Sequence, residues 1–348
     1  MFLSKKLLIK PWAPKVDEIY STSTSTAASS TINGVQPVYV GDNKLYYSQS
    51  DYFRCITLSN AAGSQTDITG RGMANYSEAD SAGSDFVIYG ALSQTNSINF
   101  YKATINRATE DVVVDVVTKN WAHGYARIMC MFNSDIMWYN YLNNNFTLNY
   151  NENVIASGAY TFAGKPNQNI AYVTTGGVVY SANSTTVSPV VSTASSSTVY
   201  RNGYFYKNYV DGTFYIVCYN ANGQVWSRAF YDDEDNTIPR RGIILGTYNN
   251  KMYVVTFPYD DSLTSTSKFY RMTLIELDSV TGAIYNDYPL PMPKMVTDGM
   301  FTLYQALYRN LNSFGIDSKN GKFALPFIVG YTRNYVFYHD WFVITIPD

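Results

Sequence analysis

Apolar and aromatic residues fall in short runs along most of this chain, and polar residues punctuate them. From Val35 onward the runs alternate with period two or are continuous over four to eight residues, each bounded by Asn, Asp, Gly or Ser. Examples are 38–40, 86–90, 112–117, 128–132, 170–174, 204–206, 214–219, 243–247, 252–257, 269–277, 327–331 and 342–346. Tyr, Val, Ile, Phe and Thr dominate them, and their flat or branched side chains suit a pleated surface. Runs of this length, closed at both ends by turn residues, predict strands. The best helical candidate in the region is 302–311.

A weak repeat overlies these runs. A polar turn followed by two apolar residues and an aromatic recurs at Asp42-Asn43-Lys44-Leu45-Tyr46-Tyr47, Asn133-Ser134-Asp135-Ile136-Met137-Trp138, Gly176-Gly177-Val178-Val179-Tyr180, Asn202-Gly203-Tyr204-Phe205-Tyr206 and Asn249-Asn250-Lys251-Met252-Tyr253, with a degenerate copy at Arg333-Asn334-Tyr335-Val336-Phe337-Tyr338. Each copy follows a short apolar strand and reads as a hairpin. From Tyr46 through Trp138, Tyr180, Tyr206, Tyr253 and Tyr338 the intervals are 92, 42, 26, 47 and 85 residues. Two lie near a period of ~45 and two near twice that. The third marks either a hairpin of a different kind or a short blade.

An all-β chain with this period predicts a β-propeller, and ~312 residues at ~45 each make about seven blades, with six or eight within the error. The run 342–346 ends the chain as a strand, which is expected to complete the first blade and remove the free edges of the ring. Tandem β-sandwiches and a β-solenoid are the alternatives.

The first 36 residues differ. Residues 1–20 carry Lys5, Lys6, Lys10 and Lys15 beside apolar side chains, and 21–31 read STSTSTAASST. The second segment is too poor in apolar area to offset its ordering entropy, so 21–36 is expected to be a tether. Residues 1–20 then form an apolar-basic docking arm, with Phe2, Leu3, Leu7, Leu8, Ile9 and Trp12 as anchors on a partner. A frayed or locally packed terminus is the plain alternative. The propeller domain is 37–348. No apolar run is long enough for a transmembrane helix. The apolar stretch 7–9 is too short for a signal peptide, so no secretory signal is read.

Composition sharpens the picture of the surface. The chain has 348 residues, 15% charged and 16% aromatic, with 33 Tyr against 25 Lys+Arg. It also holds 31 Asn, 31 Ser and 31 Thr. Its surface is therefore built mostly from neutral hydrogen-bonding groups. The apolar share of 46% excludes a disordered chain. A net charge of −2 gives no electrostatic footprint for nucleic acid.

Candidate chemistry is sparse. Cys55, Cys130 and Cys218 are widely spaced without a CxxC and read as small buried hydrophobes. Two histidines, His123 and His339, offer little for a zinc site. The acidic run Asp232-Asp233-Glu234-Asp235 lacks the ligand spacing of a calcium loop and reads as solvated. No hydrolase, metalloprotease, phosphate-loop or WD signature is present, and no pair of carboxylates stands out as glycosidase machinery. No cofactor and no metal are expected. The positive signal is tyrosine, a rigid amphipathic ring suited to protein and sugar interfaces. Tyr139, Tyr141, Tyr209 and Tyr335 are the candidates for exposed contact.

The composition, together with the apolar-basic arm ahead of its Ser/Thr-rich tether, resembles virion surface or tail-associated β-propeller proteins of phages or archaeal viruses. The resemblance lies in composition and layout over the whole chain, so it transfers no site residues. It implies a non-enzymatic virion structural protein on the exterior or tail, present in multiple copies. The arm would dock on other virion proteins, and the propeller would mediate protein or host-surface contact. A lectin-like propeller recognising host glycans and a glycan-processing enzyme are the alternatives.

Overall fold

The architecture follows from strand order. A computed structural model describes residues 15–24, 35–40, 44–49, 52–57, 65–67, 76–79, 85–106, 109, 111–193, 198–211, 213–231, 237–248, 250–258, 273–289, 301–303, 323–333 and 336–346. The first strand is β1 (Lys15–Thr24). Blade 1 is β2 (Val35–Val40), β3 (Lys44–Gln49), β4 (Tyr52–Thr57) and β5 (Gln65–Asp67). Blade 2 is β6 (Tyr76–Ala79), β7 (Asp85–Ser93), β8 (Ile98–Asn106) and β9 (Val112–Lys119). Blade 3 is β10 (Tyr125–Phe132), β11 (Asp135–Leu142), β12 (Asn145–Tyr150) and β13 (Asn153–Ser157). Blade 4 is β14 (Thr161–Asn167), β15 (Ile170–Thr175), β16 (Val178–Ala182) and β17 (Val187–Ser192). Blade 5 is β18 (Thr198–Arg201), β19 (Tyr204–Asp211), β20 (Thr213–Asn220) and β21 (Gly223–Phe230). Blade 6 is β22 (Arg240–Tyr248), β23 (Lys251–Pro258), β24 (Thr273–Asp278) and β25 (Ile284–Pro289). Blade 7 contains β26 (Phe301–Leu303), β27 (Phe323–Arg333) and β28 (Val336–Ile346).

Among the described residues these make seven four-stranded antiparallel sheets, each a meander in chain order. Blade 7 alone draws on both ends of the chain, with the order β1-β28-β27-β26. From blade 2 to blade 7 successive sheets touch, β7 against β10, β10 against β14, β14 against β18, β20 against β22 and β22 against β27, and β2 of blade 1 touches β27. The fold is a seven-bladed β-propeller.

Burial follows position in the blade. In blade 3 the first strand, β10, is buried over most of its length, while the fourth, β13, is half-buried or exposed throughout. First strands face neighbours on both sides and tolerate apolar residues without alternation, as in the run Ile128 to Phe132. The core cluster around Phe100, Trp138, Leu148, Phe162 and Val173 runs across blades 2, 3 and 4. A second cluster joins blades 4 and 5 through Val179, Phe205 and Val217.

Three expectations change. The ring is closed by the N-terminal strand added to the last blade, not by the last strand added to the first: Lys15 to Thr24 pair antiparallel with Thr345 to Phe337. The boundary between arm and tether at 20/21 therefore falls inside β1. Alternating Ser and Thr look like low complexity, yet Thr favours strands and β28 supplies the partner. In the helical candidate 302–311, Thr302 and Leu303 pair in a strand with Thr332 and Tyr331, and the remainder lies outside the described residues. The irregular repeat interval also has a cause. The turns at Asn133 and Asn202 join first and second strands, whereas Gly176-Gly177 joins β15 to β16, the second and third strands of blade 4. The 26-residue step thus compares two different hairpins.

Positive φ marks these turns. Gly176 and Gly177 take φ of 55° and 78°, Asn202 and Gly203 take 49° and 89°. Two successive positive φ angles match the twist of the flanking strands in a two-residue hairpin. No helix among the described residues is long and apolar enough to cross a membrane.

Candidate functional site

An exposed aromatic surface is built on blade 3. Asn143 and Asn144 take φ of 52° and 62° and turn β11 tightly into β12. That turn sets the register: Tyr141 faces Phe146 and Tyr139 faces Leu148. On the other side of β11, Tyr141 faces Tyr125 and Tyr139 faces Arg127. Because side chains alternate along a strand, Tyr125, Tyr141 and Phe146 form one row on a single face of the sheet, and Arg127, Tyr139 and Leu148 the next.

The rings are in contact. Tyr141 and Phe146 stack with centroids 4.4 Å apart and planes at 28°. Tyr139 and Phe146 stack diagonally at 5.5 Å and 22°. The Tyr141 hydroxyl donates to Asn144 Oδ1 at 3.1 Å, so the turn also holds the ring. Burial, opposed by the nearby Arg127 guanidinium, raises the Tyr139 hydroxyl above its ordinary pKa. Leu148 is fully buried beneath the column, whereas Tyr125 keeps 54% and Phe146 40% of its surface exposed.

The opposite face of the same sheet fixes this platform in place. Trp138 is buried there, and its indole N–H donates to Asn151 O at 2.6 Å. Asn140 accepts from Gly124 N at 3.2 Å and donates to Ala122 O at 3.3 Å, which ties the connection from blade 2 to β11. His123 in that connection contacts Trp121 O and Gln94 O through its two ring nitrogens, at 2.7 and 2.8 Å. At the start of β11, Asp135 accepts from the Tyr150 hydroxyl and from Asn151 Nδ2, each at 2.9 Å.

The sequence candidates fall as follows. Tyr139 and Tyr141 are brought together on β11, both half-buried. Tyr209 pairs with Tyr215 through the backbone of blade 5; its side chain lies outside the described residues. Tyr335, and the arm anchors Phe2, Leu3, Leu7, Leu8, Ile9 and Trp12, lie outside the described residues as well. Tyr125 and Phe146, the exposed rings of this blade 3 surface, were not singled out from the sequence. The signal that could have found Phe146 is the Asn143-Asn144 pair between two aromatic runs.

The surface offers flat apolar area, phenol hydroxyls, amides and one guanidinium, with few rotatable bonds to immobilise. These are groups suited to contact with a protein or a sugar. Among the described residues, no cluster of three or more His, Cys, Asp or Glu side chains could hold a metal ion.

No family model matches the sequence, and neither does any curated protein. Solved structures that resemble the chain include the WD40 domain of SCAP from fission yeast, at 7% identity and a TM-score of 0.37, covering 87% of this chain and 82% of that one. Sqt1 of Chaetomium thermophilum, bound to the N-terminus of the ribosomal protein L10, gives 8% identity and 0.37, covering 96% and 100%. The tail fiber of Staphylococcus aureus phage P68 gives 10% and 0.29, covering 79% of this chain and 52% of that one. The propeller assignment stands on the strand order itself.

Proposed function

We propose that this protein is a non-enzymatic contact module, a propeller that presents the Tyr125, Tyr141 and Phe146 surface to another protein within a larger assembly. The observation that carries the reading is the exposure of two aromatic rings, 54% at Tyr125 and 40% at Phe146, on a column whose lower members are locked by packing. Rings held in this way gain contact area on binding without losing further freedom, the usual property of interface anchors. In this reading the assembly is a virion, the chain sits on its exterior or tail in several copies, and the apolar-basic arm docks on other virion proteins. Support for that finer statement comes from the low charge, the excess of Tyr, Asn, Ser and Thr, and the apolar and basic residues of 1–14 ahead of β1. Sedimentation of material from the native source tests it. The chain is expected in particles with other structural proteins at comparable abundance; recovery only as free protein overturns the reading.

A second reading has its own observation. The Phe146 ring stacks on Tyr141, whose hydroxyl is bonded to the Asn144 amide, a grouping that suits the apolar face and the hydroxyls of a pyranose. On a glycan array, signal that disappears on Tyr125→Ser/Phe146→Ser replacement would favour this glycan reading over the protein partner.

A further inference from the structure

The outermost strand of a propeller blade has one unpaired edge, a template for another strand unless it is blunted. Six of the seven outer strands described carry such protection. β5 is only three residues long. The pairings of β1, β13, β17, β21 and β25 each contain a register shift, and β17 and β25 also hold Pro189 and Pro289. β9 has neither device. It reads VVVDVVTK, runs for eight residues and pairs with β8 without a shift. Val113 and Val116 on it are 59% and 51% exposed.

Two turn hydrogen bonds set the direction of its backbone groups. Asn106 N donates to Asp111 O at 2.9 Å across the turn into β9, and Gln94 N donates to Ser97 O at 2.8 Å across the turn into β8. Both bonds fix the same alternation along β8 and β9. Residues 113, 115, 117 and 119 therefore direct N–H and C=O toward β8. Residues 112, 114, 116 and 118 direct theirs to the open edge.

We propose that two copies of this chain pair antiparallel through β9, with Val117 on the two-fold axis, so that two blades become one continuous eight-stranded sheet. The register is chosen by charge. With Val117 opposite itself, Asp115 lies opposite the partner's Lys119, twice by symmetry. These are non-hydrogen-bonded positions, where facing side chains approach most closely. The outward groups of Val116 and the partner's Thr118 then meet as a hydrogen-bonded pair. Moving the axis to residue 115 would set Asp115 against itself. An edge of this length buries less than an obligate interface, so the dimer is concentration-dependent.

Sedimentation velocity on the full chain over a concentration series tests the proposal, with circular dichroism to confirm that each variant is folded. The parent is expected to dimerise. Asp115→Lys and Lys119→Asp each set like charges opposite one another and raise the dissociation constant about tenfold. The double variant Asp115→Lys/Lys119→Asp restores the parent value. Val116→Pro removes an outward donor without touching a β8 bond and leaves the chain monomeric. A monomeric parent, single reversals without effect, or a double variant no better than the singles overturns the proposal. Tyr125→Ser/Phe146→Ser leaves the dimer unchanged, so this surface and the aromatic one stand or fall separately.

Discussion

Trp121 and Trp138 lie nearly parallel across the junction of blades 2 and 3, with ring centroids 5.7 Å apart and planes at 20°. Phe100 of β8 meets the edge of Trp138 at 5.9 Å and 68°. One ring comes from each blade and the third from the connection between them, so the cluster joins the two sheets and supports the aromatic face beyond. Trp138 is 1% exposed, and its indole also satisfies the Asn151 carbonyl. Replacing Trp138 by Ala is expected to cost about 3–5 kcal/mol in urea unfolding. Replacing the half-buried Trp121 should cost less.

Blades 4 and 5 approach closely at a glycine. A Cβ placed on Gly164 of β14 would sit 2.7 Å from Tyr200 Cβ and 3.3 Å from Tyr200 O. Neither atom can move without its backbone. Gly164→Ala should destabilise the chain by about 1–3 kcal/mol, measured by thermal unfolding. No change would mean that the two first strands are farther apart than described.

Alkaline pH should unfold the protein through three phenols, Tyr206 buried and Tyr150 and Tyr288 half-buried. Burial, then the hydrogen bond to Asp135, pushes Tyr150 from 10.0 up to about 12. Burial, then the Glu276 charge, pushes Tyr288 up to about 12. Burial raises Tyr206 further still. A folded-state pKa above the unfolded one means that the folded form holds its proton more tightly. The associated stability is complete below pH 10.0 and is lost as pH rises through about 12. Phenolate absorbance should therefore rise together with loss of structure in that window, and Tyr150→Phe should flatten the dependence. Gradual ionisation without unfolding would contradict this account.

The thiols should be inert. Cys130 and Cys218 are thiols outside any disulfide and fully buried, and burial pushes Cys218 up to about 12. At about pH 8 a thiolate-directed reagent should reach neither until denaturant is added.

Truncation separates docking from closure. Deleting residues 1–14 removes the proposed anchors and leaves β1 whole, so thermal stability should hold while incorporation into the assembly falls. Deleting 1–24 also removes the strand paired with β28. It exposes a long edge and should lower the melting temperature markedly. Equal effects of the two deletions would argue against closure by β1.

The parts of this fold that depend on local pattern were legible. Runs such as 128–132, 214–219 and 252–257 became strands because their burial is set by the blade they belong to. The repeat of polar turns was enough for about seven blades. The parts that depend on long-range pairing were not legible. Nothing in STSTST announces β28 as its partner more than three hundred residues away in the chain. Tyr139 and Tyr141 stood out by their spacing. Tyr125 and Phe146 are their neighbours only through register, which an Asn-Asn turn and a strand pairing decide.

The most direct test of the contact surface is the Tyr125→Ser/Phe146→Ser chain, compared with the parent for incorporation into the particles with which the protein sediments. Both rings are exposed, so the account predicts an unchanged melting temperature and an unchanged β9 dimer, together with incorporation reduced at least about tenfold, as for the loss of two interface anchors. Full incorporation of a folded variant would contradict it.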